Sequence, residues 1–289
     1  AYALVLPAMR AELDWNYAQA GGLNTANAVG YLLGAILTRL LIRRTGNRAL
    51  FIGGVLVTAL AVLATGLTHD LLWLGFWRML AGIAGAAAFI SGGALSANVA
   101  PSQPQLGATS TAIYFAGGGI GFLLCGVSIP LLLDSSGASA WPHAWIGMGV
   151  TGLAMFALCA WAALQIEEPN LEAPSASARP AGTPHGVKHL RACLLAYALF
   201  GLGYIAYMTF VIAWIREHGA ATGQVIGVWV AFGIASLLGP WLWRRALRSW
   251  PPARMMAAAI ALLAVGALLP LLDAGSVSLF ASAVLFGAS

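Results

Sequence analysis

Charge is what this chain has least of. Only 8% of its 289 residues are Asp, Glu, Lys or Arg, where a soluble globular domain carries about 25%. The few present are clustered: residues 15–38, 49–69, 79–133, 135–166, 192–215, 218–243, 255–272 and 274–289 contain none. Cysteine is also scarce. Cys125, Cys159 and Cys193 lie in apolar stretches with no Cys-x-x-Cys spacing, so neither a disulfide framework nor a zinc site is supported. No G-x-x-x-x-G-K-[ST] loop is present to cradle phosphates. His69, His143, His185, His189 and His218 are expected in loops or a linker, and no His-Glu-x-x-His pair suggests a metal. This composition excludes a secreted, nucleic-acid-binding or cytosolic protein, and no cofactor is expected.

What fills the sequence instead is apolar. A helix needs about 20 mostly apolar residues to cross the hydrocarbon core, and long continuous runs fit helices rather than the alternating short segments of a barrel. The runs predict ten spans, at about 1–9, 18–42, 49–68, 71–97, 107–133, 144–164, 192–215, 223–243, 254–272 and 277–289, the first and last incomplete. The chain opens on Ala1 rather than Met, and both ends fall inside apolar segments. The expectation is therefore a piece of a longer protein, lacking the start of the first helix and the last two and a half helices. Residues 165–190 differ, being rich in Pro, Ala, Ser and charge, a composition that buries too little apolar surface to order itself.

The formal net charge of +5 is a matter of position more than of an anionic partner. Numbering the connections alternately puts Arg39, Arg43, Arg44, Arg48, Arg179, Lys188, Arg191, Arg244, Arg245, Arg248 and Arg254 on one side of the membrane, and only Arg10 and Arg216 on the other. Basic loops mark the cytoplasmic face, so the linker is expected to be cytoplasmic.

The two sides of the linker echo each other. Arg10 and Arg216 are 206 positions apart, Leu33-Gly34 and Leu238-Gly239 are 205, Arg43-Arg44 and Arg244-Arg245 are 201, Asp70 and Asp273 are 203, and Gly82 and Gly287 are 205. The nearly constant offset implies two parallel repeats of six spans, related by an axis along the membrane normal. The expected fold class is an all-α membrane protein, with residues 1–164 as an N-terminal six-helix bundle, 165–190 as the linker, and 191–289 as a C-terminal bundle cut in its fourth helix.

With those features the chain resembles the major facilitator superfamily. The stretch Tyr2-Ala3-Leu4-Val5-Leu6-Pro7-Ala8-Met9-Arg10 is most similar to its bacterial YbfB/YjiJ-type members. The family's loop after the second span reads G-x-x-x-D-R-x-G-x-R. Here Arg44, Gly46 and Arg48 match and form the expected gating loop, while Arg39 and Arg43 stand in the Gly and Asp places, so the acidic member of that latch is missing. Arg78, Gly82 and Gly85 resemble the family's fourth-span R-x-x-x-G-x-G element. Gly117-Gly118-Gly119-Ile120-Gly121 resembles its glycine-rich antiporter motif but lacks the Gly-Pro step, so antiport is not inferred. The resemblance implies a secondary carrier that alternates access by rocking its halves. Its partners would be a small-molecule solute and the lipid bilayer, without nucleic acid. It would function as a monomer, and the coupling ion stays open.

Arg78 stands out because an ionisable group inside a span costs at least ~2.5 kcal/mol and faces a cavity or a partner, yet no Asp or Glu lies within a span to pair with it. An unpaired cation facing a cavity attracts an anionic substrate group. The resemblance implies cavity-lining first, fourth, seventh and tenth helices, which puts Tyr2, Arg78, Ser91, Tyr204 and Tyr207 at the site, with Asn24, Asn27 and Tyr114 beside them. The plainer alternative places the tyrosines at membrane boundaries. Trp141, Trp145, Trp214, Trp243 and Trp250 are read as such anchors. Glu12, Asp14, His69, Asp70 and Glu217 are read as solvated loop charges. Two rival functions stay open: a scaffold or receptor built from the same helices, and an intramembrane enzyme around Ser91, for which no span histidine is available as base.

Overall fold

The computed structural model describes residues 1–168, 187–273 and 275–289, and within them the chain is helical without a strand. In chain order the helices are α1 (Tyr2–Glu12), α2 (Tyr17–Thr65), α3 (Leu71–Ala97), α4 (Pro104–Ser136), α5 (Trp141–Gln165), α6 (Val187–Glu217), α7 (Thr222–Leu242), α8 (Arg244–Ser249), α9 (Pro252–Leu272) and α10 (Ser276–Ala288). Their ends carry local signals. Asn16 and Gln19 form a reciprocal capping box at the start of α2, at 2.9 and 3.0 Å. The Asp70 carboxylate caps α3 by accepting from the Leu72 and Trp73 amides, both at 3.0 Å. Most of the expected linker, residues 169–186, lies outside the described residues, as do the side chains of Lys188 and His189, whose backbone begins α6.

The expected spans are present, with two differences. The second and third are separate helices, residues 17–45 and 47–65 of α2, that meet without a loop at Gly46, whose backbone (φ 76, ψ 167) leaves the helical region and turns the chain. The short α8 was not expected from a charged loop. Large apolar side chains such as Leu72, Leu158 and Leu238 remain exposed on the outside, where bilayer hydrocarbon replaces water as the favourable medium.

The repeat has a packing cause. A Cβ on Gly82 in α3 would overlap the Asn27 carbonyl oxygen of α2. A Cβ on Gly287 in α10 would come within 2.6 Å of the Phe232 carbonyl oxygen of α7. Both members of the second contact lie 205 positions after the first. Gly34 faces Ile83, and 205 positions on Gly239 faces Ala288, the first in close backbone contact and the second at ordinary van der Waals distance. Small residues at the same two places thus let two helix pairs approach backbone to backbone, and the repeated glycines mark one architecture used twice. Between the repeats, α1 packs on α6 and α4 on α7.

Candidate functional site

The site is best built outward from Arg78. It sits on α3 about two turns beyond the Asp70 cap, only 8% exposed. Its carbonyl oxygen accepts from the Asn27 side-chain amide at 2.9 Å, which ties α3 to α2 at this level. The guanidinium makes no ion pair or hydrogen bond to a described residue, and its Nε is buried without a partner. It is held between aromatic rings instead. Its Cζ lies 4.8 Å from the Trp145 ring centroid and 5.9 Å from that of Tyr2, an attraction that strengthens away from water, to about 2 kcal/mol. Trp145 is fixed by its indole N–H, which donates to Met9 Sδ at 3.5 Å. Tyr2 is fixed by its hydroxyl, which donates to the Ala20 carbonyl.

Arg78 opens onto two cavities, of about 790 and 750 Å³. The first lies within the N-terminal repeat and is lined by α2, α3, α4 and α5. It receives Tyr114, whose hydroxyl donates to the Ala88 carbonyl at 3.1 Å. It also receives His143, which was expected in a loop but stands in the first turn of α5. The second lies between the repeats and brings together Tyr2, Asn24, Asn27 and Arg78 from one side with Tyr204 and Trp229 from the other. Asn24 reaches across to the Thr209 hydroxyl, to which its amide donates.

Tyr207 lies outside both linings. One turn from Tyr204 it rotates towards α10, where its ring stacks on Phe286 at 4.0 Å and its hydroxyl bonds Ser282 at 2.7 Å. Ser91 is fully buried and unpartnered, away from any described base. Trp141 and Trp145 are 0% and 2% exposed, which corrects their reading as boundary anchors. The start of α5 is packed inside the bundle, with Trp141 edge-on to His69 at 5.1 Å.

At the Gly46 end, sequence reading missed a residue. The Glu168 carboxylate accepts from the Arg48 amide at 2.8 Å, and the Arg48 guanidinium donates to the Ile166 carbonyl at 2.6 Å and the Ala163 carbonyl at 3.2 Å. A Cβ on Gly46 would fall 2.8 Å from the Glu168 carboxylate. Position 46 favours glycine for its positive φ, while the Glu168 side chain has the freedom to move aside. The acid absent at position 43 is supplied here from beyond α5, and the signal available was the pair Glu167-Glu168 just after the sixth span. Arg44 is exposed.

At the opposite end, side chains bridge the repeats. Arg10 at the end of α1 pairs with Glu217 at the end of α6 at 2.9 Å, and the Tyr17 hydroxyl donates to the same carboxylate. The Arg10 guanidinium lies 3.9 Å from the Tyr17 ring centroid, and that ring meets Phe210 edge-on at 5.8 Å. The Thr222 hydroxyl of α7 donates to Asp134 of α4 at 2.7 Å. Glu217, read as a solvated loop charge, is therefore bonded across the molecule, and so is Asp134. The Tyr17 hydrogen bond, and then the Arg10 one, holds the Glu217 carboxyl below its ordinary value of 4.5.

The second cavity runs along α2 and α6 from Asn24 and Met208 to Ala35 and Tyr197. Tyr197 there is 65% exposed. Among the described residues, no cluster of three His, Cys, Asp or Glu is placed to hold a metal ion.

Known proteins share this arrangement. The family described as "Uncharacterised MFS-type transporter YbfB" matches residues 1–289. No curated protein matches the chain. Among solved structures, it is similar to a D-xylose-proton symporter (TM-score 0.65, 15% identity, covering 100% of this chain and 76% of that one). It is also similar to a bacterial homolog of the human lysosomal transporter Spinster, solved inward-facing and occupied (TM-score 0.63, 20% identity, 99% and 70%). A third is the nucleoside transporter NupG (TM-score 0.64, 12% identity, 99% and 76%). At these identities the likeness is one of fold.

Proposed function

The chain belongs to the YbfB family of MFS-type transporters, and from that premise we propose that it is a secondary carrier that binds a small anionic solute at Arg78 and exposes it alternately to each side of the bacterial inner membrane. The observation that carries the reading is the guanidinium itself: nearly buried, without an acid among the described residues, and opening onto the cavity between the repeats. A buried cation held in place this way is poised for an anion, because the charge is desolvated before any ligand arrives. Tyr2, Asn24, Asn27 and Tyr204 complete the binding site, and Tyr114 borders it through Arg78. Tyr207 acts by positioning α10.

In this reading residues 1–164 and 191–289 form the two moving bundles, and residues 165–190 form their cytoplasmic linker. The Arg-rich side is cytoplasmic by the distribution of basic loops. The closure at Arg10, Tyr17, Glu217, Asp134 and Thr222 is then the outer gate, and the cavity's reach to the exposed Tyr197 at its other end makes this an inward-open form. Gly46, Arg48 and Glu168 act as the inner loop latch, with Arg44 available to it on the surface. The carrier works as a monomer. No proton relay is included, because no Asp or Glu lies in the apolar interior of the spans.

The test is a pair of distance measurements on the full-length protein in liposomes. Spin labels at Ser136 and Ala221 report the outer ends of α4 and α7, and labels at Thr45 and Arg191 report the inner side. The expected result is two populations at each end in antiphase, the outer pair short when the inner pair is long. One fixed distance at both ends under all conditions would leave a static scaffold or receptor.

The outer gate also predicts a pH response. Glu217 titrates lower in the closed form than it would when released, so it favours closure fully above the ordinary carboxylate range. That contribution is lost as pH falls through the lowered closed-state value. The share of the outer pair's long component is therefore expected to be unchanged between alkaline and mildly acidic pH, and to grow only below the ordinary carboxylate range. Glu217→Gln should enlarge that share at neutral pH.

A further inference from the structure

The lining of the cavity between the repeats says more about the solute than its charge. One wall is a run of nearly parallel rings. Tyr197 and Phe200 stack with centroids 5.7 Å apart, Phe200 and Tyr204 at 6.0 Å, and Tyr204 and Phe286 at 5.4 Å, with interplanar angles of 23–27°. Three of these four rings, Tyr197, Phe200 and Tyr204, line the cavity itself. Such a wall accepts one more flat ring by offset stacking.

The opposite wall carries most of the polar groups, the ring wall adding the Tyr197 and Tyr204 hydroxyls, and three of its donors are already engaged. The Tyr2 hydroxyl donates to Ala20, the Asn27 amide to the Arg78 carbonyl, and the Asn24 amide to Thr209. In this lining, the buried polar atoms left without a partner are Arg78 Nε and the Trp229 indole N–H. Both are donors that cannot accept.

A solute with a hydroxyl on nearly every carbon, such as a sugar, needs donors and acceptors spread around its body. Each hydroxyl buried unpaired costs about 1–3 kcal/mol. A solute that presents one compact, charged acceptor and an otherwise flat apolar body asks only for the guanidinium and the rings. A single guanidinium neutralises one negative charge, so a dianion would carry its second charge into an apolar space uncompensated.

We infer that the transported solute is an aromatic monocarboxylate, its carboxylate on Arg78 and its ring against the Phe200–Tyr204 wall. This rests on the carrier reading above and narrows it. The solutes named for the xylose symporter and the nucleoside transporter belong to those proteins, and their hydroxyl-rich chemistry is what this lining disfavours.

The test uses full-length protein in proteoliposomes, with labelled benzoate taken up by counterflow against unlabelled benzoate. Benzamide, acetate, D-xylose and uridine serve as competitors. Benzamide keeps the ring and loses the charge, whereas acetate keeps the charge and loses the ring. Benzoate is expected to exchange, and each of the four others to compete at least about tenfold more weakly, the size of one lost interaction of about 1.4 kcal/mol. Equal competition by benzamide overturns the charge requirement, and equal competition by acetate overturns the ring requirement. Exchange of xylose or uridine in place of benzoate overturns the substrate class while leaving a working carrier. Absence of benzoate exchange also overturns the class. The distance measurements judge the carrier reading separately, since they require no solute.

Discussion

Replacing Arg78 with glutamine lowers solute exchange by about 100-fold or more, while the protein still reaches the membrane and purifies as a folded species. Truncating one partner of a buried, hydrogen-bonded charge pair costs about 2–5 kcal/mol, and every 1.4 kcal/mol is about a factor of ten. The cost falls on binding rather than on folding because the side chain has no protein acid to leave stranded. Removing the charge even relieves a burial penalty, so thermal stability should hold or rise. Arg78→Lys separates charge from shape. An ammonium keeps the sign but loses the planar fork and stacks less well on the Trp145 and Tyr2 rings, so an intermediate exchange rate is expected. Exchange unchanged in both variants would remove Arg78 from the site, and with it the anionic solute.

The second large effect is structural. Gly82→Val is expected to cut the yield of folded protein about tenfold, and Gly287→Val should do the same in the other repeat. Overfilling a packed core costs about 1–3 kcal/mol where side chains can move aside. At these two positions the obstacle is a backbone carbonyl oxygen, on Asn27 and Phe232 respectively, which has no rotamer to adopt. Gly75 is the control: it lies in the same α3 helix with open space at its missing Cβ. Gly75→Ala should be neutral or slightly stabilising, because alanine restricts the unfolded chain at no steric cost. Fluorescence-detected size exclusion with a thermal ramp reads all three. Similar melting for Gly82→Val and Gly75→Ala would mean that the α2–α3 contact is not held by close backbone approach.

These two predictions also show what the primary structure makes visible. Long uncharged runs give the helices, because apolar length is itself the physical requirement for crossing a bilayer. Arg78 is visible for the complementary reason that a charge inside such a run is costly. The repeat shows itself through glycines, since a helix contact that excludes a Cβ leaves the same mark wherever it is reused. Gly82 and Gly287 are that mark.

Contacts between distant segments leave no comparable trace. Arg10 and Glu217 are each charged residues at the end of an apolar run, and nothing in the spacing of residues 207 positions apart pairs them. Glu168 is hidden in the same way, because the acid that meets the Gly46 loop comes from a different segment than the motif expects. Rotation about a helix axis was equally out of reach. A three-residue spacing puts Tyr204 and Tyr207 on neighbouring faces, and only the position of α10 decides that one rings the cavity while the other is tied to Ser282. Trp141 and Trp145 were misjudged for a related reason. Distance from a helix end predicts depth in the bilayer, and says little about which side of the helix is covered by protein.

The single break in α2 has a mechanical consequence. Two membrane crossings, each its own helix, meet at Gly46 with no intervening loop to absorb slack. A tilt of residues 17–45 against residues 47–65 therefore has to be taken up at the Gly46 backbone, beside the Glu168 carboxylate.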